Sequence, residues 1–385
     1  MSFDFATAAR IIFGDGSARQ LPQLARELGS HALLVTDSFQ PPSVGELIDA
    51  LGETDLPFTR FPVSGEPSVE VIDQAKEAAL RAGCDMVISI GGGSVIDSGK
   101  ASAALIPNEG AVIDYLEIIG AGRKLDAAPL PFIALPTTAG TGAEVTKNAV
   151  LGSKAQRVKV SLRDNRMLAD IALVDPALTH SVPPSVTAST GMDALTQVLE
   201  PYVTRMATPL TDGFCSEGLR RAGRSLRRVY EEPANAAARH DMALTSLLGG
   251  LALANAKLGA VHGFAGVLGG MYGAPHGAIC AALLPPVIEA NIKALTERQQ
   301  DNPALRRYDQ AAQILLDEGS ADASDAIDWI SETSRLLGIP GLGNYGVKAE
   351  DFAEIVSKSA AASSMKGNPI ELTAEELTAI LRAAL

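Results

Sequence analysis

Residues 85–101 read DMVISIGGGSVIDSGKA. From Met86 to Ile90 the run has the length and β-branched content of a buried parallel strand, and three glycines lead directly into a helical pattern opening at Ser94. Strand, tight turn and helix start in that order make an anion site. Residues without a Cβ let backbone N–H groups approach a phosphate, and the positive end of the helix dipole points to the same place. Gly91, Gly92, Gly93 and Ser94 are therefore candidates to hold a pyrophosphate. Ser94 and Asp97 also fit the capping box S-x-x-[DE], which gives both a plain structural role, and the two roles are compatible. The run matches neither G-x-G-x-x-G nor the phosphate loop G-x-x-x-x-G-K-[ST].

Outward from this stretch, strand and helix patterns alternate. Strands are expected at 10–13, 31–36, 58–63, 86–90, 132–135 and 171–174, with helices at 18–28, 43–51, 68–82 and 94–106. That alternation predicts a parallel, doubly covered sheet. Val145 to Val150 and Val158 to Val160 suit a hairpin. After Val182-Pro183-Pro184-Ser185 the β signature disappears, and Ala- and Leu-rich segments predict helices near 185–204, 209–228, 234–258, 279–293, 302–318, 322–336, 349–362 and 373–384. The expected organisation is an α/β dinucleotide-binding domain over residues 1–182 and an all-α domain over 183–385, with a ligand cleft between them.

The length of 385 residues agrees with two domains. A formal net charge of −13 argues against nucleic acid or an anionic membrane as partner. No apolar run approaches the roughly 20 residues of a membrane span, and the start MSFDFATAAR lacks a leader pattern, so the cytoplasm is the expected compartment. Cys84, Cys215 and Cys280 are an odd set without C-x-x-C spacing and read as buried small hydrophobes.

Asp37 follows the strand HALLVT at the carboxyl edge, where a carboxylate can accept from ribose hydroxyls, although it also suits an ordinary turn. Pro136 to Glu144, PTTAGTGAE, mixes hydroxyls with glycines as a loop around a polar ligand would, or simply as a loop does. Of five histidines, His31, His180 and His240 read as structural or exposed, leaving His262 and His276 in LGAVHGFAGVLGGMYGAPHG. The glycines of that segment suggest a helix with a small face for close packing. Asp193 and Gln197, in GMDALTQ, share a helix face. A carboxylate with two imidazoles suits Zn²⁺ or Fe²⁺, although two satisfied core histidines would look the same.

These strings together resemble the iron-dependent (group III) alcohol dehydrogenases, whose fold is shared by glycerol dehydrogenase and dehydroquinate synthase. The resemblance rests on GGGSVIDSGKA, on TD after the second strand, on PTTAGTGAE, on GMDALT, and on LGAVH with PHG fourteen residues on, and it spans the chain from RIIFG to Asn368-Pro369. It implies an NAD-dependent dehydrogenase or reductase acting on a small alcohol or carbonyl compound. It implies Asp193, His262 and His276 as metal ligands and catalytic residues, with Asp97, Thr137, Thr138 and Thr141 at the cofactor, Lys159 at its ribose, and Leu178 of D-P-x-L beneath the nicotinamide. The expected assembly is a homodimer or larger homo-oligomer. Gln197 stands where the iron-dependent members carry a fourth ligand histidine and is the fourth candidate metal residue; its carbonyl can coordinate, but more weakly than an imidazole, so iron affinity should fall, and the remaining Asp/His/His set resembles the zinc site of glycerol dehydrogenase. Gly266 stands where many members carry a further histidine, which should enlarge the substrate pocket. A metal-free reductase of the maleylacetate reductase kind and a catalytically silent NAD-binding protein are the alternatives. A dehydroquinate synthase-like lyase shares the glycine loop, but TTAGTG and GMDALT speak against it.

Overall fold

A computed structural model describes residues 2–117, 119–153 and 158–385. Two compact units divide the chain: one comprises Ala6–Thr138 and Gly142–Val182, the other Pro183–Leu385 with the short segment Ala139–Thr141 and the N-terminal residues up to Phe5.

The first unit is built on a six-stranded parallel sheet. Its strands are β1 (Arg10–Phe13), β2 (Ala32–Asp37), β3 (Phe58–Val63), β4 (Met86–Gly91), β5 (Phe132–Pro136) and, after a hairpin of β6 (Asn148–Ser153) and β7 (Val158–Arg163), β8 (Ile171–Val174). The order is β1-β8-β5-β4-β2-β3, with β6 and β7 pairing antiparallel by themselves. One face packs against α1 (Leu21–Leu28) and α2 (Pro42–Gly52) through Leu24, Leu47 and Leu51 on Leu34, Ile88 and Ile133. α3 (Val69–Ala82) and α4 (Gly93–Leu105) supply Ile72, Ala101 and Leu105 to a second cluster shared with the hairpin residues Leu151 and Leu162. α4 lies against the sheet at Gly99, where a Cβ would fall 1.8 Å from Ser89 Oγ on β4.

Strand order sets the site. From β2 the chain steps outward to β3, then returns to place β4 on the other side of β2 and continues to β5. The direction of winding therefore reverses between β2 and β4, and ligands of open α/β sheets bind in the crevice at the carboxyl ends of such a pair. Asp37 closes β2 and Gly91 closes β4.

The hairpin is locked to α4 by a buried cation. Lys100 Nζ donates to the carbonyls of Ala143 and Asn148 and to Thr146 Oγ1, at 2.6, 2.8 and 2.9 Å, and lies 3.6 Å from Asp97. Three acceptors and a carboxylate offset the desolvation that would otherwise make such a lysine costly. The first hairpin strand begins three residues later than the sequence pattern suggests, because Ala143–Val145 is taken up in a 3₁₀ turn entered from Gly142 at φ 58°.

The second unit is helical: α5 (Pro184–Val203), α6 (Pro209–Glu231), α7 (Ala236–Asn255), α8 (Ala260–Tyr272), α9 (His276–Arg298), α10 (Pro303–Leu316), α11 (Ala323–Leu336), α12 (Phe352–Ala360) and α13 (Ala374–Ala383) surround one core that includes Leu195, Leu226, Phe264 and Leu284. α9 is longer than its apolar pattern indicates. It starts at His276 and runs through Pro285 and Pro286 to Arg298. Contrary to the sequence expectation, α9 is long and apolar enough to cross a membrane, with mean hydropathy 1.5 over its best window, and α7 with α8 passes as a pair bent by 98°. Since 61% of the α9 window is buried among its neighbours, the apolar length serves the core.

Candidate functional site

Three helices bring the candidate ligands together. Asp193 lies on α5, His262 on the first turn of α8 and His276 at the first position of α9. His262 Nε2 stands 3.3 Å, and His276 Nε2 3.7 Å, from Asp193 Oδ1. Asp193 is 2% exposed, and although both imidazoles lie near its Oδ1, no donor is aligned for a hydrogen bond to that oxygen. A buried carboxylate oxygen left in this state faces a cost that a cation would remove. The donor set thus fits a divalent metal.

The structure adds two residues the sequence reading passed over. Glu200 is buried on α5 seven residues after Asp193, two turns along the same face. Its Oε2 accepts from His262 Nδ1 at 2.6 Å, and its Oε1 accepts from the Val261 amide at 2.8 Å. A carboxylate can only accept, so Nδ1 carries a proton toward Glu200, which leaves Nε2 as the nitrogen that a metal would take. Gly259 gives α8 no side-chain cap; Glu200 supplies it instead, together with Asn368, whose Oδ1 accepts from the Ala260 amide. The second addition is Cys280, whose Sγ is 3.9 Å from His262 Nε2. The ligand atoms of Asp193, His262, His276 and Cys280 all lie within 4.8 Å of one another, the one such His/Cys/Asp/Glu cluster among the described residues. Cys280 is buried, as expected, but amid polar donors rather than as a mere hydrophobe.

Charge in the cluster is mutually supporting. Burial opposes the protonated form of His262, but Cys280, Asp193 and Glu200 outweigh it and hold the imidazole well above its ordinary range. Burial likewise opposes ionisation of Asp193, and His276 and His262 outweigh it and keep the carboxyl low. A cation would take over from those protons.

Gln197 shares the α5 face with Asp193, but its amide nitrogen donates to the Thr141 carbonyl at 2.7 Å. The small face of the glycine-rich segment is only partly realised. A Cβ at Gly259 or Gly263 would meet Glu200 or Met365 within 3 Å, whereas one at Gly266 would meet nothing within 4 Å. The other histidines lie apart from the cluster: His31 bonds to Thr59 Oγ1, His180 is exposed, and His240 is half-buried on α7.

In the α/β unit, Asp37, Gly91 to Ser94, Thr137 and Thr138 gather at the carboxyl ends of the adjacent strands β2, β4 and β5. The Thr137 amide donates to the Gly91 carbonyl, and a Cβ on Gly92 would stand 3.5 Å from the Thr138 side chain. The capping box does not form. α4 begins one residue earlier than expected, with Gly92 as N-cap and no side-chain acceptor, so Ser94 lies inside the helix. Asp97 instead accepts from the Val150 amide at 3.0 Å and faces Lys100. Asp37 Oδ1 accepts from the Phe39 amide, the turn role foreseen for it, and the side chain is exposed. Lys159 on β7 pairs with Glu66. Leu178, in the 3₁₀ turn Pro176–Thr179, is 4% exposed within the core cluster against α1.

The iron-containing alcohol dehydrogenase model matches residues 8–176, and that for the C-terminal part of the Fe-containing alcohol dehydrogenase family matches 187–385. The chain is 34% identical to 1,3-propanediol dehydrogenase of Klebsiella pneumoniae over 99% of its own length and 98% of that protein's. Among solved structures it is similar to a 1,3-propanediol oxidoreductase (TM-score 0.92, 32% identity, 100% of both chains). It is also similar to sulfoacetaldehyde reductase from Bifidobacterium kashiwanohense in complex with NAD⁺ (TM-score 0.87, 30% identity, 100% of this chain and 99% of that one). The chain belongs to the iron-containing alcohol dehydrogenase family. It is accordingly an oxidoreductase of the alcohol–carbonyl type, and the family implies use of NAD and of a metal.

Proposed function

We propose that this protein interconverts a small alcohol and its aldehyde or ketone with NAD(H), using a divalent metal, Zn²⁺ or Fe²⁺, held by Asp193, His262 and His276. The observation that carries this reading is the convergence of those three donors from α5, α8 and α9 on a carboxylate oxygen with no aligned donor. When bound, the cation supplies Lewis acidity toward the substrate oxygen, and the nicotinamide gives or takes the hydride. The chain supplies position and charge. Glu200 fixes the tautomer of His262, Asp193 contributes the negative charge, and Gln197 ties α5 to the Thr141 carbonyl. The uncapped N-terminus of α4 receives the pyrophosphate at Gly91 to Ser94, and Asp37 accepts from the adenosine ribose. Thr137, Thr138 and Thr141 line the cofactor, Lys159 reaches a ribose of it on release from Glu66, Leu178 supports the nicotinamide side from within the core, and Asp97 acts indirectly by anchoring α4. The open space at Gly266 leaves room for substrate. On sequence grounds the protein works in the cytoplasm as a homodimer or larger homo-oligomer, which light scattering checks.

The deciding experiment is metal analysis of purified protein with an NADH-linked panel of aldehydes and ketones, before and after exhaustive chelation. Activity should vanish with the metal and return on reloading. Full turnover without metal would place the protein with the metal-free reductases, and NADH binding without turnover of any carbonyl would make it a silent binder.

Two variants extend the test. Asp37→Gly should remove the repulsion of a 2′-phosphate and the acceptor for ribose, shifting the NADH-over-NADPH preference by about 1–3 kcal/mol; equal affinities for the two cofactors in the unaltered protein would sink this role. Gln197→His should raise Fe²⁺ affinity by about tenfold or more, since an imidazole four residues from Asp193 can reach the same ion. Unchanged iron occupancy would show that position 197 does not face the metal.

A further inference from the structure

We propose that Cys280 is itself a metal ligand, so that the centre is an Asp/His/His/Cys set selecting a thiophilic ion such as Zn²⁺ over Fe²⁺. This rests on the reading of Asp193, His262 and His276 as ligands and adds the fourth donor to them, the substrate oxygen then joining as a fifth, an expansion that zinc accepts during reaction.

Placement comes first. His276 opens α9 and Cys280 follows four residues later, so both side chains leave the same helix face one turn apart. Cys280 is 0% exposed. An ion with tetrahedral bonds of about 2.0–2.3 Å separates its donors by about 3.3–3.6 Å. The observed separations are 3.3 Å for His262 to Asp193, 3.7 Å for His276 to Asp193 and 3.9 Å for Cys280 to His262. The remaining separations are within 4.8 Å, so side-chain adjustments of about an ångström bring all four around one point. Independently of the cysteine, the buried Asp193 Oδ1 has no aligned donor and points into the same space.

The chemistry follows from what stands opposite. On α5 the position one turn beyond Asp193 carries an amide whose nitrogen is engaged by the Thr141 carbonyl, so this chain has no third imidazole there. Cys280 offers a donor from α9 instead. A thiolate is soft, and it favours Zn²⁺, Co²⁺ or Cd²⁺ over Fe²⁺ compared with an all-nitrogen and oxygen set.

The test strips the full-length protein and its Cys280→Ser, Cys280→Ala and His276→Ala variants with chelator and reloads each with Co²⁺ alone. NADH binding checks that each is folded, and Cys280→Ser keeps the side-chain volume should Cys280→Ala fail. The unaltered protein should show an intense near-ultraviolet thiolate-to-cobalt charge-transfer band. Both Cys280 variants should lose it while keeping the weak visible cobalt bands, and chelator competition should show at least about a tenfold loss of Zn²⁺ affinity, since outer partners alone account for that much. Bound cobalt without the charge-transfer band, or a band unchanged in the variants, overturns ligation by Cys280 and leaves the three-ligand reading standing. No cobalt bound by the unaltered protein overturns both.

Discussion

Replacing His276 by alanine should leave a folded protein that retains NADH, carries no metal and turns over about a thousandfold more slowly or worse. The side chain is 35% exposed at the first position of α9, so its removal opens no sealed cavity, and His262 still faces the buried Asp193 carboxylate at 3.3 Å. What it removes is an imidazole lying 3.7 Å from Asp193 Oδ1. A metal that polarises the substrate oxygen contributes several kcal/mol of transition-state stabilisation, and about 4 kcal/mol corresponds to three decades of rate. Circular dichroism, NADH titration, metal analysis and kcat/KM on the same preparation check each part. A variant that holds its metal and its rate would remove His276 from the centre; one that loses metal but keeps its rate would remove the metal from the reaction.

Gly92→Val should abolish cofactor binding, weakening NADH by about a hundredfold or more, with a melting curve close to that of the unaltered protein. The reason is one of space alone. Gly92 sits at φ −72°, ψ −178°, an extended conformation that valine adopts without strain, and a Cβ there makes ordinary contact with Thr138 at 3.5 Å. The fold therefore has no cause to object. On the proposed reading, however, the added bulk stands beside the first amides of α4 that would receive the pyrophosphate, and the loss of even two charge-assisted hydrogen bonds costs about 3 kcal/mol or more. Fluorescence titration with NADH, paired with thermal unfolding, separates the two effects. Normal affinity would mean that the glycines serve only as a turn.

Much of this architecture is readable along the chain because each piece has a local cause. The buried strands β2, β4 and β5 are mostly apolar runs, and α3 is bounded by Ser68, which accepts from the Val71 amide, and by Gly83 at φ 71°. Such signals need no knowledge of neighbours. The proposed ligands Asp193, His262 and His276 were singled out in a different way, through strings resembling those of a known family.

What only the tertiary structure decided is which side chains share a point in space. Glu200 looks like any helical glutamate until α8 arrives with an amide and an imidazole to be satisfied. The case of Cys280 turns on a boundary: a helix expected from residue 279 leaves His276 in the preceding turn, and the two residues then bear no fixed relation. In the folded chain Pro275, at φ −58°, opens α9 three residues earlier and sets them one turn apart on one face, opposite Asp193. Burial of a cysteine follows from its small apolar character and was foreseen. Whether it is buried among leucines or among imidazoles and a carboxylate depends on three helices that are distant in sequence, and no periodicity along one helix encodes what the others bring to it.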